Sequence, residues 1–518
     1  MKTPQECYET IRKNVKKEWK TAFMAAVILG LLIHMPMLLS DLPNHDGLDS
    51  MYFDQNMITS GRWFLMIACG VSSYYSLPWL TGILSILYLG LAAAALTEFL
   101  ELKSHGVIIG ISGLLVVFPA IVSHFAYAFT MDGYMMALLF AVLAALLTKK
   151  YRLGFLAGAV CLAFSLGIYQ SYLPFAVLLC IYGIVTALID QKETAGKIKT
   201  TVNYLLMGVI GVVLYFVILQ VLLFVQGKEL DTYQGISGMG GVETSGLLSI
   251  IKNIYVDFVS FTLKGNILAN NIISAAALLL LLLLFAAVAG KLFLERKWWK
   301  SLWFYLVILL LVIILPVANN IILLISPEVT YHLLMRYQWV MYLILPTAFI
   351  ARYGEIGRRP LISWGLLISL MILLLHYGVT DNIAYSNLQK RYEKTYAYCL
   401  RLLDRMEQTE GYYQGIPIAM IGVVSEEEYP ETDITGDVTA GMIGISGDSL
   451  LYRSRNYQAF MKHYLGATLN FLPAEVMDEI YYSEEYRELS SFPGEDSIRI
   501  VDGIMYIKTE NVDKTLDQ

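Results

Sequence analysis

The sequence predicts a polytopic α-helical membrane protein of about eleven transmembrane helices with a small extracytoplasmic α/β domain at its carboxyl end. Three observations predict it. The 518 residues are 57% hydrophobic and only 15% charged, with a mean hydropathy of +0.58, too apolar for a chain with one polar surface. Apolar runs of roughly 18 to 25 residues, the helical length that crosses a hydrocarbon core of about 30 Å, recur through the first three quarters of the chain. Between those runs, bases and acids take alternate turns, as in a chain threaded back and forth across a membrane. The 35 tyrosines and 8 tryptophans suit many membrane–water interfaces.

Residues 1–20 read as a cytoplasmic amphipathic amino terminus, with Arg12, Lys13, Lys16, Lys17 and Lys20. The interruptions in hydropathy place spans at 21–40, 79–100, 107–125, 134–147, 153–168, 172–189, 204–225, 267–289, 302–325, 339–350 and 361–376, so residues 21–378 form the transmembrane domain. The first is expected to be retained, because it is long and ends in Pro43-Asn44 rather than a small-residue cleavage pattern. Lys103, then Lys149, Lys150 and Arg152, then Lys192, Lys197 and Lys199, then Lys291 to Lys300, then Arg352, Arg358 and Arg359 mark the inside loops. The loops between them hold the acids and few bases: Asp41 to Asp54, the stretch through Asp132, Gln170 and Ser171, a long loop with Asp231, Glu243 and Asp257, and Glu328. These are expected outside.

An odd number of spans puts residues 379–518 on the outer side. From residue 381 onward the chain carries 24 acidic and 12 basic residues, unlike anything before it. Residues 384–406 have helical spacing, "IPIAMIGVV" (416–424) reads as a buried strand, and "IRIVDGIMYIK" (498–508) as two strands turning at Asp502-Gly503. Of the five cysteines only Cys399 lies in this region, so no disulfide framework is available. There is no CxxC, no zinc spacing and no GxxxxGK[ST] phosphate loop. "GISGMGG" (235–241) has neither a strand before it nor a lysine after it and reads as a flexible outer loop. Nothing points to nucleic acid as a partner.

The candidate site residues are polar groups hard to explain as scenery. "HDGLDSMYFDQNMITSGRWF" (45–64) gathers Asp46, Asp49 and Asp54 and ends on Arg62. Asp46 and Asp49 are three apart, so a short helix puts both on one face, and Asp54 reads as a solvated charge. "SGRWF" and its sequel read as an interfacial segment with Arg62 at its polar edge and Trp63 in the aromatic belt. Asp132 in "TMDGY" sits at an outer mouth, where a carboxylate needs water or a partner. Tyr169, Gln170 and Tyr172 interrupt what is otherwise an apolar hairpin; a polar turn with interfacial tyrosines is the plainer account. Arg336 in "MRYQW" is a cation on the outer side, where a phosphate or a carboxylate is expected to hold it.

In order along the chain, the aspartate-bearing first outer loop closed by "SGRWF", then "MDGY", "LGIYQSYLPFA", "RYQWVMYLILP" and a tail opening "KRYEKTYAYCLRLLDRM" resemble the serotype-converting glucosyltransferase family, Gtr type II, of bacterial membranes. The resemblance implies a membrane glycosyltransferase of the GT-C-like class in the bacterial cytoplasmic membrane. Such an enzyme takes a hexose, glucose in the family, from a polyprenyl-phosphate carrier and passes it to a surface polysaccharide outside. It implies a catalytic carboxylate in the first outer loop, which carries over to Asp46 or else Asp49. With that chemistry, Asp132 is a further catalytic candidate, Arg62 and Arg336 are candidate donor-phosphate ligands, and Tyr169, Gln170 and Trp63 candidate sugar or acceptor ligands. Carboxylates beside a phosphate suit Mg²⁺ or Mn²⁺, and the spacing leaves a metal open. The acceptor is equally O-antigen-like or teichoic-acid-like. A transporter or flippase of lipid-linked glycan is the competing class, but it predicts charges at mid-span, and these spans are nearly free of them.

Overall fold

Every one of the eleven apolar segments is helical in the computed structural model, and their lengths sort them into two groups. The structure describes residues 3–50, 53–70, 77–231, 246–421, 442, 445, 450–451 and 454–509. Among these, eight helices are long and apolar enough to cross a membrane. A short amphipathic α1 (Pro4–Asn14) precedes α2 (Lys17–Leu39), the first of the eight. After two short helices, α3 (His45–Ser50) and α4 (Leu65–Ala68), come α5 (Pro78–Leu100), α6 (His105–Val117), α7 (Ala120–Phe125), α8 (Met131–Lys150) and α9 (Gly154–Ile168). Then follow α10 (Leu173–Asp190), α11 (Thr194–Gln226), α12 (Leu247–Lys264), α13 (Ile272–Glu295), α14 (Leu302–Asn319), α15 (Ile321–Ile325), α16 (Met341–Tyr353) and α17 (Pro360–Gln408). The expected spans at 107–125, 153–168 and 339–350 are the ones too short or broken to join the eight.

The break in 107–125 has a local cause. Pro119 has no N–H and cannot serve the Leu115 carbonyl four residues back. Instead the Tyr337 hydroxyl donates to Leu115 O, and His34 Nε2 donates to Val116 O at 2.9 Å. Side chains from distant segments thus supply what the proline withholds, as a buried carbonyl away from water requires.

The structure corrects the expected long outer loop around Asp257. Residues 247–264 form the amphipathic helix α12, with Asp257 on it; "GISGMGG" lies outside the described residues. The large apolar residues left exposed lie where lipid is expected: on α11, Val209, Val213, Val217 and Val221 make an exposed stripe with a spacing of four. α5, α8 and α10 are mostly buried.

Two compact units emerge. The first comprises Met1–Ser40 and Tyr52–Asn382, the second Asp41–Met51 and Ile383–Gln518. In the first, the basic segments expected on one side do share one end of the bundle. Lys16 and Lys150 both bind Glu98 (2.7 and 3.0 Å), Lys103 meets Glu18, Lys149 meets Glu101, and Arg352 joins Glu101 to Asp190.

In the second unit, α17 leads to β1 (Pro417–Ile421), α18 (Ser454–Tyr464), β2 (Asn470–Phe471), α19 (Ala474–Tyr481), α20 (Glu484–Arg487), β3 (Ile498–Val501) and β4 (Ile504–Lys508). The sheet order is β2-β1-β4-β3, with β1 parallel to both neighbours and β3–β4 an antiparallel hairpin. Asp502 and Gly503 both take positive φ (50° and 79°) at its turn, the geometry for which Asp-Gly is selected. Leu402, Met406, Ile418, Met420, Phe460 and Met505 fill the core, together with Leu48 from α3.

Candidate functional site

The 45–64 stretch divides between the two units. In the second, Asn44 Oδ1 accepts from Gly47 N at 2.6 Å and so caps α3, the helix that the Asp46–Asp49 spacing anticipates. Asp46 stands exposed in its first turn, 3.5 Å from His45 Nε2. The Asp49 side chain lies outside the described residues. Nearby, Asp41 accepts from the Tyr464 hydroxyl at 3.1 Å.

Arg62 belongs to the first unit and is aimed by a tight loop. Asp54 accepts from Asn56 N at 3.0 Å, a local turn rather than a purely solvated charge. Met57 then bridges to Arg62 across Ile58–Ser60 and Gly61. Gly61 takes φ 75°, a conformation that costs a side-chain-bearing residue. The loop is tied down from three directions. Gln170 Nε2 donates to Ser60 O (3.0 Å) and to the Tyr215 hydroxyl (3.1 Å); Tyr215 donates to Gly61 O (3.1 Å); and Asp231 N donates to Thr59 O (2.9 Å). Both donors of the Gln170 amide therefore hold the loop.

The half-buried Arg62 guanidinium lies over the Tyr169 ring, 4.9 Å from its centroid, and Nη1 donates to the Tyr134 hydroxyl at 3.4 Å. Tyr134 and Tyr169 stack at 4.6 Å. A ring face under a cation adds an attraction of its own to whatever else holds the guanidinium. Trp63 packs on Gly167 so closely that a Cβ there would meet its ring at 2.6 Å, while Phe64 N donates to Gly167 O at 2.7 Å. Trp63 is thus seated on α9 and half-buried rather than lying in an open belt.

Asp132 occupies the first turn of α8 and is only 1% exposed, so water does not solvate it. Its Oδ1 accepts from Gly133 N at 3.0 Å, and the helix N-terminus favours a negative charge there. The Cys69 thiol lies against it; burial first, and then the Asp132 carboxylate, push that thiol well up.

Arg336 is differently placed. Nη1 and Nη2 take both oxygens of Asp257 (2.8 and 2.7 Å), and Nε donates to Tyr331 O at 3.0 Å. Phe261 and Tyr331 flank the guanidinium at 4.2 and 4.0 Å, and Asn320 also donates to Asp257. Of the two anions expected for Arg336, the structure supplies a carboxylate. It brings Arg62, Trp63, Asp132, Tyr169 and Gln170 into one neighbourhood; Arg336 belongs to the Asp257 cluster and Asp46 to the other unit.

Sequence reasoning missed the aromatic floor. His124, buried, has Tyr134, Tyr172 and Tyr337 each with ring centroids 5.8 Å away. Its Nδ1 donates to Ala120 O at 2.9 Å, while Nε2 and the Tyr172 hydroxyl have no hydrogen-bond partner among the described residues. The available signal was a lone polar ring in "PAIVSHF". Among the described residues no three His, Cys, Asp or Glu side chains gather as a metal set.

Residues 35–350, more than half of the chain, match the family model described as glucosyl transferase GtrII. No curated protein matches the chain.

Proposed function

The chain belongs to the glucosyl transferase GtrII family, and on that premise we propose that it moves glucose from a polyprenyl-phosphate donor to a cell-surface polysaccharide at the outer face of the bacterial cytoplasmic membrane. Membership makes it a glucosyltransferase, and its long apolar helices associate it with a membrane. The observation that carries the finer reading is Arg62, poised on Tyr169 and reaching the Tyr134 hydroxyl in the first turn of α8, the turn that also carries buried Asp132. That is the opposite end of the helix from Lys149 and Lys150, whose basic surroundings suit the cytoplasmic side.

In this reading the acceptor hydroxyl attacks the anomeric carbon, the bond from that carbon to the phosphate oxygen breaks, and the lipid phosphate departs with the electron pair. Arg62 stabilises the charge that grows on the departing phosphate. Asp46 takes the acceptor proton, with Asp49 on the same helix as the second candidate. Trp63 offers the sugar a ring face. Tyr169 supports Arg62 from below, Gln170 positions its loop, and the Asp132 carboxyl group orients the acceptor or its partner groups. Arg336 serves by fixing the 331–340 segment through Asp257, and it reaches a donor phosphate only by exchanging that carboxylate.

Membranes supplied with radiolabelled polyprenyl-phosphate glucose test this. The wild type should label a polymer, and Asp46→Asn should lower the rate by about 10²–10⁴ while inserting normally. Full activity in Asp46→Asn and in Asp49→Asn would remove the first outer loop from the chemistry. Label that crosses the membrane on its carrier without forming a new glycosidic bond would favour the flippase reading.

A further inference from the structure

At the cation-rich end of the first unit, a cavity of about 670 Å³ opens between the end of α8, the end of α10 and the start of α11. Its lining holds six basic and three acidic side chains. Three of the bases are spent: Arg352 on Glu101 and Asp190, Lys149 on Glu101, and Lys150 on Glu98. The other three, Arg152, Lys192 and Lys199, are exposed at the rim and make no ion pair among the described residues.

Two buried polar atoms of the wall also stand unused. The Tyr204 hydroxyl, on a residue only 3% exposed, has no hydrogen-bond partner among the described residues, nor has Gln191 Oε1. The hydroxyl fits against Gly183, where a Cβ would come within 2.6 Å of it. Beside the cavity, α11 turns Ile198, Val202 and Leu205 outward as an exposed apolar strip.

Three unpaired cations, against the single carboxylate of the same lining that makes no ion pair among the described residues, Glu193, leave a net positive charge that calls for an anion, a buried hydroxyl offers one donor to it, and an amide oxygen calls for a hydroxyl on the same ligand. The apolar strip calls for a hydrocarbon chain at the mouth. We infer that the cavity holds the phosphodiester headgroup of an anionic, hydroxyl-bearing phospholipid, with its acyl chains lying along α11. Basic pockets between helices at this depth are suited to such headgroups. The ligand is not the sugar donor: the 20 residues of α8 separate this cavity from Asp132 by about 30 Å. The lipid would lock α8, α10 and α11 together at the end remote from the chemistry.

Full-length protein in detergent, titrated with dioleoyl phosphatidylglycerol, dioleoyl phosphatidylcholine or inorganic phosphate, tests the inference by native mass spectrometry and thermal midpoint. The wild type should retain phosphatidylglycerol in preference to phosphatidylcholine. The triple variant Arg152→Gln, Lys192→Gln, Lys199→Gln should weaken that binding by on the order of a hundredfold, roughly fivefold per cation removed. Tyr204→Phe, which keeps the ring, should weaken it by a smaller factor with the same thermal midpoint in the absence of lipid. Equal retention of phosphatidylglycerol by the wild type and the triple variant overturns the proposal. So does stabilisation by inorganic phosphate equal to that by phosphatidylglycerol, which would assign the cavity to a free anion.

Discussion

Arg62 and Arg336 are both arginines over aromatic rings, and their neighbours separate their roles. Arg336 is 6% exposed and bidentate to Asp257, so Asp257→Asn strands a buried charge and should cost about 3–5 kcal/mol, read as a large drop in thermal midpoint. Arg62 is half-buried with a ring beneath it. Arg62→Ala should lower transfer by about 10²–10³ with a smaller fall in midpoint than Asp257→Asn; an equal loss of stability in both variants would make Arg62 structural too. The sequence made both arginines legible as outer cations, because a base there departs from the positive-inside pattern. It left the partner of Arg336 open, since Asp257 lies 79 residues away and a single chain carries no sign of that pairing. His124 escaped notice for a related reason: a neutral ring in an apolar run looks like core until its neighbours are known.

At the scale of elements, local rules read well and interrupted ones badly. The hairpin at Asp502-Gly503 was legible because its turn chemistry is contained in two residues. By contrast α12 was missed because Lys252, Asn253 and Asp257 break its hydropathy into what looks like a loop; its polar face became intelligible only with Arg336 and Asn320 against it. Pro119 likewise divided an expected span into α6 and α7. Two outcomes follow from element packing. Gly167→Val should push the Trp63 ring off α9 and depress transfer more than stability, measured as rate against midpoint. Tyr337→Phe should leave Leu115 O without its donor and cost about 1–3 kcal/mol, with little direct effect on donor affinity.

Across the whole molecule, the alternation of charge was the most informative single pattern, because ion pairs joining Lys16, Lys149, Lys150 and Arg352 to Glu98 and Glu101 collect those segments at one end. What no pattern revealed was the recruitment of residues 41–51 into the carboxyl-terminal unit, a contact between distant parts of the chain. The ion network also sets a pH dependence. Glu101 is held below the usual carboxylate range: burial works against this, but Lys149 and Arg352 outweigh it. A lowered value means that its contribution is present above the ordinary glutamate range and is lost as pH falls through the depressed value. A thermal midpoint that declines on acidification, with a shallower acid limb and a lower neutral midpoint in Glu101→Gln, is the expected result; screening at this exposed end keeps the effect to about 1 kcal/mol or less. The broken helix at Pro119 has a further consequence, for biogenesis. A chain is synthesised from its amino end, and the hydroxyl that satisfies Leu115 arrives 222 residues later. Until then the half-made protein carries an open acceptor among its early helices, so nascent chains stopped short of Tyr337 should be the ones that membrane proteases remove.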